Sequence, residues 1–224
     1  MKNTRAPFDL LGLTGIVLLL LAALPFAIHA ISRGADLLAP DEQAVSRLFR
    51  PEALSASFGI YTHMIAGGII MLAAPVQLWP VTRHRWPRLH HFTGYTIAAF
   101  ASVTAVGGLY YIATVGTIGG AVMNVGFALY GALMLLSVIM TVHLAQRRDP
   151  RHRLWAERLV ILAMASWLYR VHYGVWEIVT GGAGSQPDFR GLFDRIQVFA
   201  FYLPYLILHA WFWQGRTAAR EQLR

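Results

Sequence analysis

Two histidines stand at matching depths in this chain, and histidine is the side chain best suited to ligate iron or carry a proton near neutral pH. His63 lies six residues into an apolar run that begins at Ser57, and His172 lies six residues before another run ends at Ile178. At about 1.5 Å per helical residue, both sit roughly 9 Å below the same boundary. A level pair on different helices is what a bis-histidine haem b requires, one neutral imidazole on each face of the iron. Gly59 and Gly67 flank His63 at minus four and plus four, a stripe on which a porphyrin could lie and which ordinary helix packing also explains. Arg170, in the same run as His172, carries the charge to pair with a propionate. The simpler account of the pair is hydrogen bonding to neighbouring helices. A metal other than haem iron finds no carboxylate beside the pair except Glu177.

The remaining histidines sort to the two boundaries. His29 lies near the outer end of the first run and reads as interfacial. His84, His90, His91, His143, His152 and His209 belong to the opposite side, where, with the arginines, they could hold a second haem, a quinone headgroup or an anionic lipid. Anchoring of helix ends is the plainer account. His90, His152 and Arg158 are expected to meet at that face, because the third and fifth helices both start there. Arg170 cannot shed its charge, so at its depth it needs a partner from another helix, a backbone carbonyl or a ligand, and is expected inward, beside His63 or His172. The absence of cysteine excludes disulfides and cysteine-held metal centres. No nucleophile elbow, zinc-type His-Glu-x-x-His or phosphate-binding glycine loop occurs, so no catalytic motif is assigned.

The elements that must position these residues are six apolar runs, at 10–31, 57–79, 92–114, 121–144, 155–178 and 196–213. Each is long enough to cross most or all of a hydrocarbon layer of about 30 Å, and none alternates with period two. The expected fold is therefore an all-α bundle of six transmembrane helices, one domain over 1–224 in contact with the lipid bilayer. A composition of 56% hydrophobic and only 13% charged residues fits a membrane protein, since soluble domains carry about 25% charged residues. The first run exceeds a signal-peptide core of about 7–15 residues and is read as a span.

The net charge of +8 does not point to nucleic acid, because the basic residues sit between the apolar runs. Lys2, Arg5, Arg83, Arg85, Arg88, Arg147, Arg148, Arg151, Arg153, Arg216, Arg220 and Arg224 fall on one side, and Arg33, Arg47, Arg50, Arg190 and Arg195 on the other. Twelve against five places both termini in the cytoplasm. The segment Gly116–Gly120 is expected to close a tight helical hairpin, and Pro40–Phe49 to form a short amphipathic helix outside.

Several motifs together carry a family resemblance. The His63 region, Ala74-Pro75-Val76-Gln77, Leu89-His90-His91-Phe92-Thr93-Gly94-Tyr95, His152-Arg153-Leu154-Trp155-Ala156-Glu157-Arg158 and Arg170 resemble the membrane proteins of domain-of-unknown-function family 2306 (DUF2306) over about half of the chain. The family pattern has Arg at the position of His91 and Gly at that of Ala74. The resemblance implies a multi-helix protein of the bacterial inner membrane, and gives His63, His90, His152, Trp155, Arg158 and Arg170 weight as functional residues. A looser likeness, of fold alone, is to six-helix b-type cytochromes.

These residues lead to haem-b or quinone-linked electron transfer, with His63 and His172 as iron ligands and Arg170, His90, His152 and Arg158 as further cofactor contacts. Two alternatives stand beside it. One is a transporter with Arg170, Glu177 and Asn124 along a polar path and helices broken at Pro75 and Pro204. The other is a non-catalytic subunit of a membrane complex or redox partner.

Overall fold

Where lipid surrounds a chain, a helix satisfies its own backbone, and the apolar runs all fold that way. The computed structural model describes residues 10–39 and 46–222, and no strand occurs among them. Contacts group the chain into two compact units, Met1–Thr114 and Val115–Arg224.

The first unit contains α1 (Leu10–Ala35), α2 (Leu54–Ala73), the short α3 (Pro80–Arg85) and α4 (Pro87–Thr114). Helix α1 buries Ala23, Ala27, Ala30 and Gly34, a stripe of small residues spaced three and four apart. A side chain at Gly34 would come within 2.8 Å of the Tyr61 carbonyl, and one at Gly68 within 3.0 Å of the Ala27 carbonyl. Small residues thus let α1 and α2 touch backbone to backbone, as membrane helices do in the absence of a solvent-driven core. On the side away from α2, Leu11, Leu18, Leu21 and Ile28 are exposed, a surface suited to lipid rather than water. Beyond α2 the chain tightens into a 3-10 turn, Pro75–Leu78, with Pro75 at its start. The Gln77 amide ties this turn to Thr93 of α4.

The second unit contains α5 (Gly120–Gln146), α6 (His152–Thr180), α7 (Leu192–Ala200) and α8 (Leu203–Gln222). Its core is aromatic: Tyr130 packs against Phe201 at 5.1 Å and Tyr202 at 5.5 Å between ring centres, and Tyr169 against Phe201 at 5.1 Å. Hydroxyls in this core bond carbonyls of facing helices, Tyr130 to Leu162 at 2.6 Å and Tyr202 to Gly126 at 3.1 Å. The last apolar run is broken between α7 and α8, at Phe201 and Tyr202, both fully buried. Pro204 follows in the first turn of α8, where its missing N–H costs nothing.

Among the described residues, five stretches are long and apolar enough to cross a membrane: Leu10–Ala35, Pro51–Leu78, Pro87–Thr114, Gly120–Gln146 and Leu192–Gly215. Helix α6 has the length, at 29 residues, but Arg153, Glu157, Arg158, Arg170, His172 and Glu177 lower its apolar character. The connection between α4 and α5 is as short as expected, with Gly116 and Gly120 at φ +84° and +70°. Of the external amphipathic helix, Pro40–Val45 lie outside the described residues, and 46–49 form a turn instead of a helix. Lys2, Arg5 and Arg224 also lie outside the described residues.

Candidate functional site

Helix α4 of the first unit holds His63. Its Nδ1 bonds the Thr104 carbonyl of α4, and a side chain at Gly108 would lie 2.8 Å from that nitrogen. A side chain at Gly107 would collide with the Gly59 carbonyl, and one at Gly67 would meet Thr104 at 3.6 Å. The Gly59–Gly67 stripe is therefore covered by α4 and serves helix packing. A porphyrin has no room against it. A histidine whose Nδ1 donates to a carbonyl has its ring orientation fixed, which is the usual support of a metal-binding imidazole.

The second unit concentrates ionisable side chains where α6 meets α7 and α8. Asp194, 1% exposed, accepts the Tyr173 hydroxyl at 2.7 Å, the Ser185 hydroxyl at 2.8 Å, and the Gln186 and Gly191 N–H groups at 2.9 Å each. It is the third residue of α7 and reaches back to the backbone before that helix, as a capping-box acid does. Four donors spread its charge without a cation. The 181–191 segment is folded around it, with Gly181, Gly182, Gly184 and Phe189 at positive φ. The Tyr173 hydroxyl also receives the Tyr169 hydroxyl at 3.4 Å.

One turn further along the unit, His172 uses both ring nitrogens. Gln197 Nε2 lies 2.9 Å from Nδ1, and the Tyr205 hydroxyl 2.8 Å from Nε2. The Gln197 amide donating to Nδ1 leaves Nε2–H to donate to Tyr205. Gln197 is 3% exposed, so the imidazole sits between a buried amide and a hydroxyl. At the other end of α6, Glu157 accepts Arg153 Nε at 2.8 Å and bonds His209 Nε2 at 2.9 Å. The His209 side chain is 10% exposed, and its Nδ1 is buried without a partner. Between the Tyr205 and His209 positions, Ile161, Leu208 and Phe212 complete an apolar groove of about 420 Å³ between α6 and α8.

The other expected site residues take local partners. Arg170 is exposed, donates to the Ser166 carbonyl at 3.0 Å and lies over the Tyr169 ring at 5.8 Å. It thus donates to a backbone carbonyl of its own helix, and His172 turns to α7 and α8 instead. His152 bonds the Asp149 carbonyl at 2.9 Å, and Arg158 stacks over Trp155 at 4.6 Å. His90 and His91 sit at the start of α4 with rings 6.2 Å apart. Asn124 accepts the Thr117 N–H and hydroxyl at 2.7 Å each, closing the turn before α5. No group of three or more His, Cys, Asp or Glu positioned to hold a metal ion occurs among the described residues.

Sequence reasoning passed over Asp194, Gln197 and Tyr205. The one legible signal was the spacing from Gly191 to Asp194, that of a helix cap and its third residue. Tyr and Gln in an apolar run carry no comparable signature.

The family model described as "Predicted membrane protein (DUF2306)" matches residues 60–213, from the second turn of α2 into α8. It takes in His63, His172, Asp194 and His209 and leaves α1 outside. No curated protein and no solved structure matches the chain. The match extends well beyond the motifs at 63–170 and covers both polar clusters of α6, and on it the chain belongs to the DUF2306 family of multi-pass membrane proteins.

Proposed function

We propose that this is a six-span protein of the bacterial inner membrane, with both termini cytoplasmic and α6 as the sixth span, that acts in quinone-linked electron transfer. The observation that carries the reading is the groove between α6 and α8, apolar along its walls and set between two proton-competent contacts, His172–Tyr205 and Glu157–His209. A quinone ring partitions into lipid and asks for apolar walls plus hydrogen-bonding groups near its two carbonyls. Its reduction to the quinol takes two electrons and two protons, and each contact offers a route for one proton. Haem b would be a suitable one-electron donor. His63 has an oriented imidazole, but α4 covers the glycines beside it, and His172 would have to exchange Gln197 or Tyr205 for iron. The geometry therefore favours the quinone over the His63–His172 haem.

The test is retention of a labelled short-chain ubiquinone by the full-length protein in nanodiscs. Saturable binding near one per chain is expected, with Ile161→Trp, which fills the groove, weakening it tenfold or more. Non-saturable partitioning, or full affinity in Ile161→Trp, overturns the reading. An absorbance spectrum of the same sample decides the haem component, through the presence or absence of a Soret band. The transporter reading draws support from the breaks after Ala73 and at Phe201–Tyr202, since interrupted helices form binding sites in transporters.

A further inference from the structure

The segment Arg83–Leu89 of the first unit exposes three arginines, and no carboxylate among the described residues pairs with them. Arg83, Arg85 and Arg88 make no ion pair among the described residues, and all three are exposed. No Asp or Glu occurs between Glu52 and Asp149. The described acids of the first unit are Asp36, which pairs with Arg33 at 2.9 Å, and Glu52, which precedes α2, whose 20 residues put about 30 Å of helix between it and the far end that leads to Arg83. No described carboxylate pairs with the three guanidinium groups, which leaves them to an anion from outside the chain.

Two observations say what kind. First, Arg85, Trp86, Pro87, Arg88 and Leu89 line a concavity of about 510 Å³ at the bend between α3 and α4. Second, α4 has 28 residues, about 42 Å, against a hydrocarbon layer of about 30 Å. Its Thr114 end is uncharged while the Pro87 end holds Arg88, His90 and His91, so the surplus of about 12 Å falls on the arginine end, in the headgroup layer. From that end an exposed stripe runs down α4 through Phe92, Tyr95, Ala99, Val103, Val106 and Tyr110, spaced three and four apart. A free phosphate or an acidic protein segment has no use for such a stripe. A phospholipid uses both parts: its phosphate on the guanidinium forks, its acyl chain on the stripe, and Trp86 at the boundary between them.

We infer that the α3–α4 bend is a binding site for one anionic phospholipid of the cytoplasmic leaflet. The site is independent of the quinone groove, because it lies wholly within the first unit.

The test uses the full chain in nanodiscs of phosphatidylcholine with and without phosphatidylglycerol, and reads the lipid retained by native mass spectrometry. The wild type is expected to retain phosphatidylglycerol over phosphatidylcholine. Each arginine near an anionic surface contributes roughly fivefold, so Arg83→Gln/Arg85→Gln/Arg88→Gln should lower retention roughly a hundredfold. Because that variant removes charges that set topology, a second one, with all three arginines changed to lysine, keeps the charge and loses the forked geometry. It should give an intermediate loss with topology unchanged. Equal retention of the two lipids by the wild type, or an unchanged preference in the glutamine variant, overturns the inference. Stabilisation by soluble glycerol phosphate in pure phosphatidylcholine discs, to the same degree as by phosphatidylglycerol, overturns it in favour of a water-borne phosphate.

Discussion

Replacing Asp194 with alanine should unfasten the 181–191 segment before it affects anything else. The carboxylate receives four donors, of which the Gly191 N–H is fully buried and the others partly so. A buried donor left without an acceptor costs about 1–3 kcal/mol. The Tyr173 and Ser185 hydroxyls can turn to water, and Gln186 is exposed, so the full price falls on Gly191 and a fraction on the rest. The sum is about 3–4 kcal/mol, or roughly 6–16 °C in the unfolding temperature of a chain this size. Asp194→Asn keeps one acceptor oxygen but turns an NH₂ toward donors, and should lose about half as much. The assay is thermal unfolding in detergent, followed by tryptophan fluorescence, with limited proteolysis of the 181–191 segment in parallel. Trp176, stacked on Phe193 at 4.5 Å and donating to the Ala183 carbonyl at 2.7 Å, reports the segment directly. An unfolding temperature within 2 °C of wild type for Asp194→Ala, with no new cleavage, would refute the structural reading of this carboxylate and favour a proton-carrying one.

Four further outcomes follow from other positions. Gly107→Ala should cost about 1–3 kcal/mol, because the new methyl group meets the Gly59 backbone and α2 and α4 must part. Gly94→Ala, with nothing within 4 Å, should be neutral or stabilise by up to about 1 kcal/mol, and parallel unfolding curves compare the two. Arg148 ends α5 at φ +53°, a left-handed position, so Arg148→Gly should raise stability by about 1 kcal/mol in the same measurement. At the neighbouring turn, hydrogen bonds from the Arg151 side chain and N–H hold the Asp149 carboxyl below its ordinary value of 3.8. The contribution is complete above that ordinary value and is lost as pH falls through the lowered one. Exchange protection of the Arg151 amide should therefore persist at pH 5 and fall only at strongly acid pH, a dependence Asp149→Asn should abolish.

The helices were legible because lipid makes one demand of every residue in a span, and an apolar run reports it directly. Boundaries came within a few residues at 120–146 and 152–180, where Gly120 and Pro150 punctuate the chain. Pro204 marked a break in the last run, but its position at Phe201–Tyr202 depends on two aromatic side chains packing into the unit's core, and no local signal encodes that. The depth argument placed His63 and His172 within spans, and both are half-buried. It could not tell what they touch: Thr104 lies 41 residues from His63, and Gln197 and Tyr205 lie 25 and 33 from His172. The glycines at 59 and 67 were ambiguous for the same reason. Helix and porphyrin both ask for a surface without side chains, and only the presence of Gly107 opposite decides between them.

The polar groups where α6 meets α7 and α8 are not equivalent, and their energetics differ. Asp194 has every donor it needs and no loose end, which is how a carboxylate retained for stability is satisfied. The Glu157–His209 contact is different. It buries two ionisable side chains, 13% and 10% exposed, and leaves His209 Nδ1 without a partner. Breaking such a pair is costly, yet replacing both members with well-packed apolar residues is commonly neutral or stabilising. A leucine and a phenylalanine would complete the wall begun by Ile161, Leu208 and Phe212 with no orphaned nitrogen. Stability therefore gives no reason for an acid and an imidazole at these positions. His209 Nδ1 shares its lack of a hydrogen bond with the buried Tyr61 and Thr141 hydroxyls, but it alone of the three belongs to a residue that lines the apolar groove, which is the ground on which a quinone is proposed there.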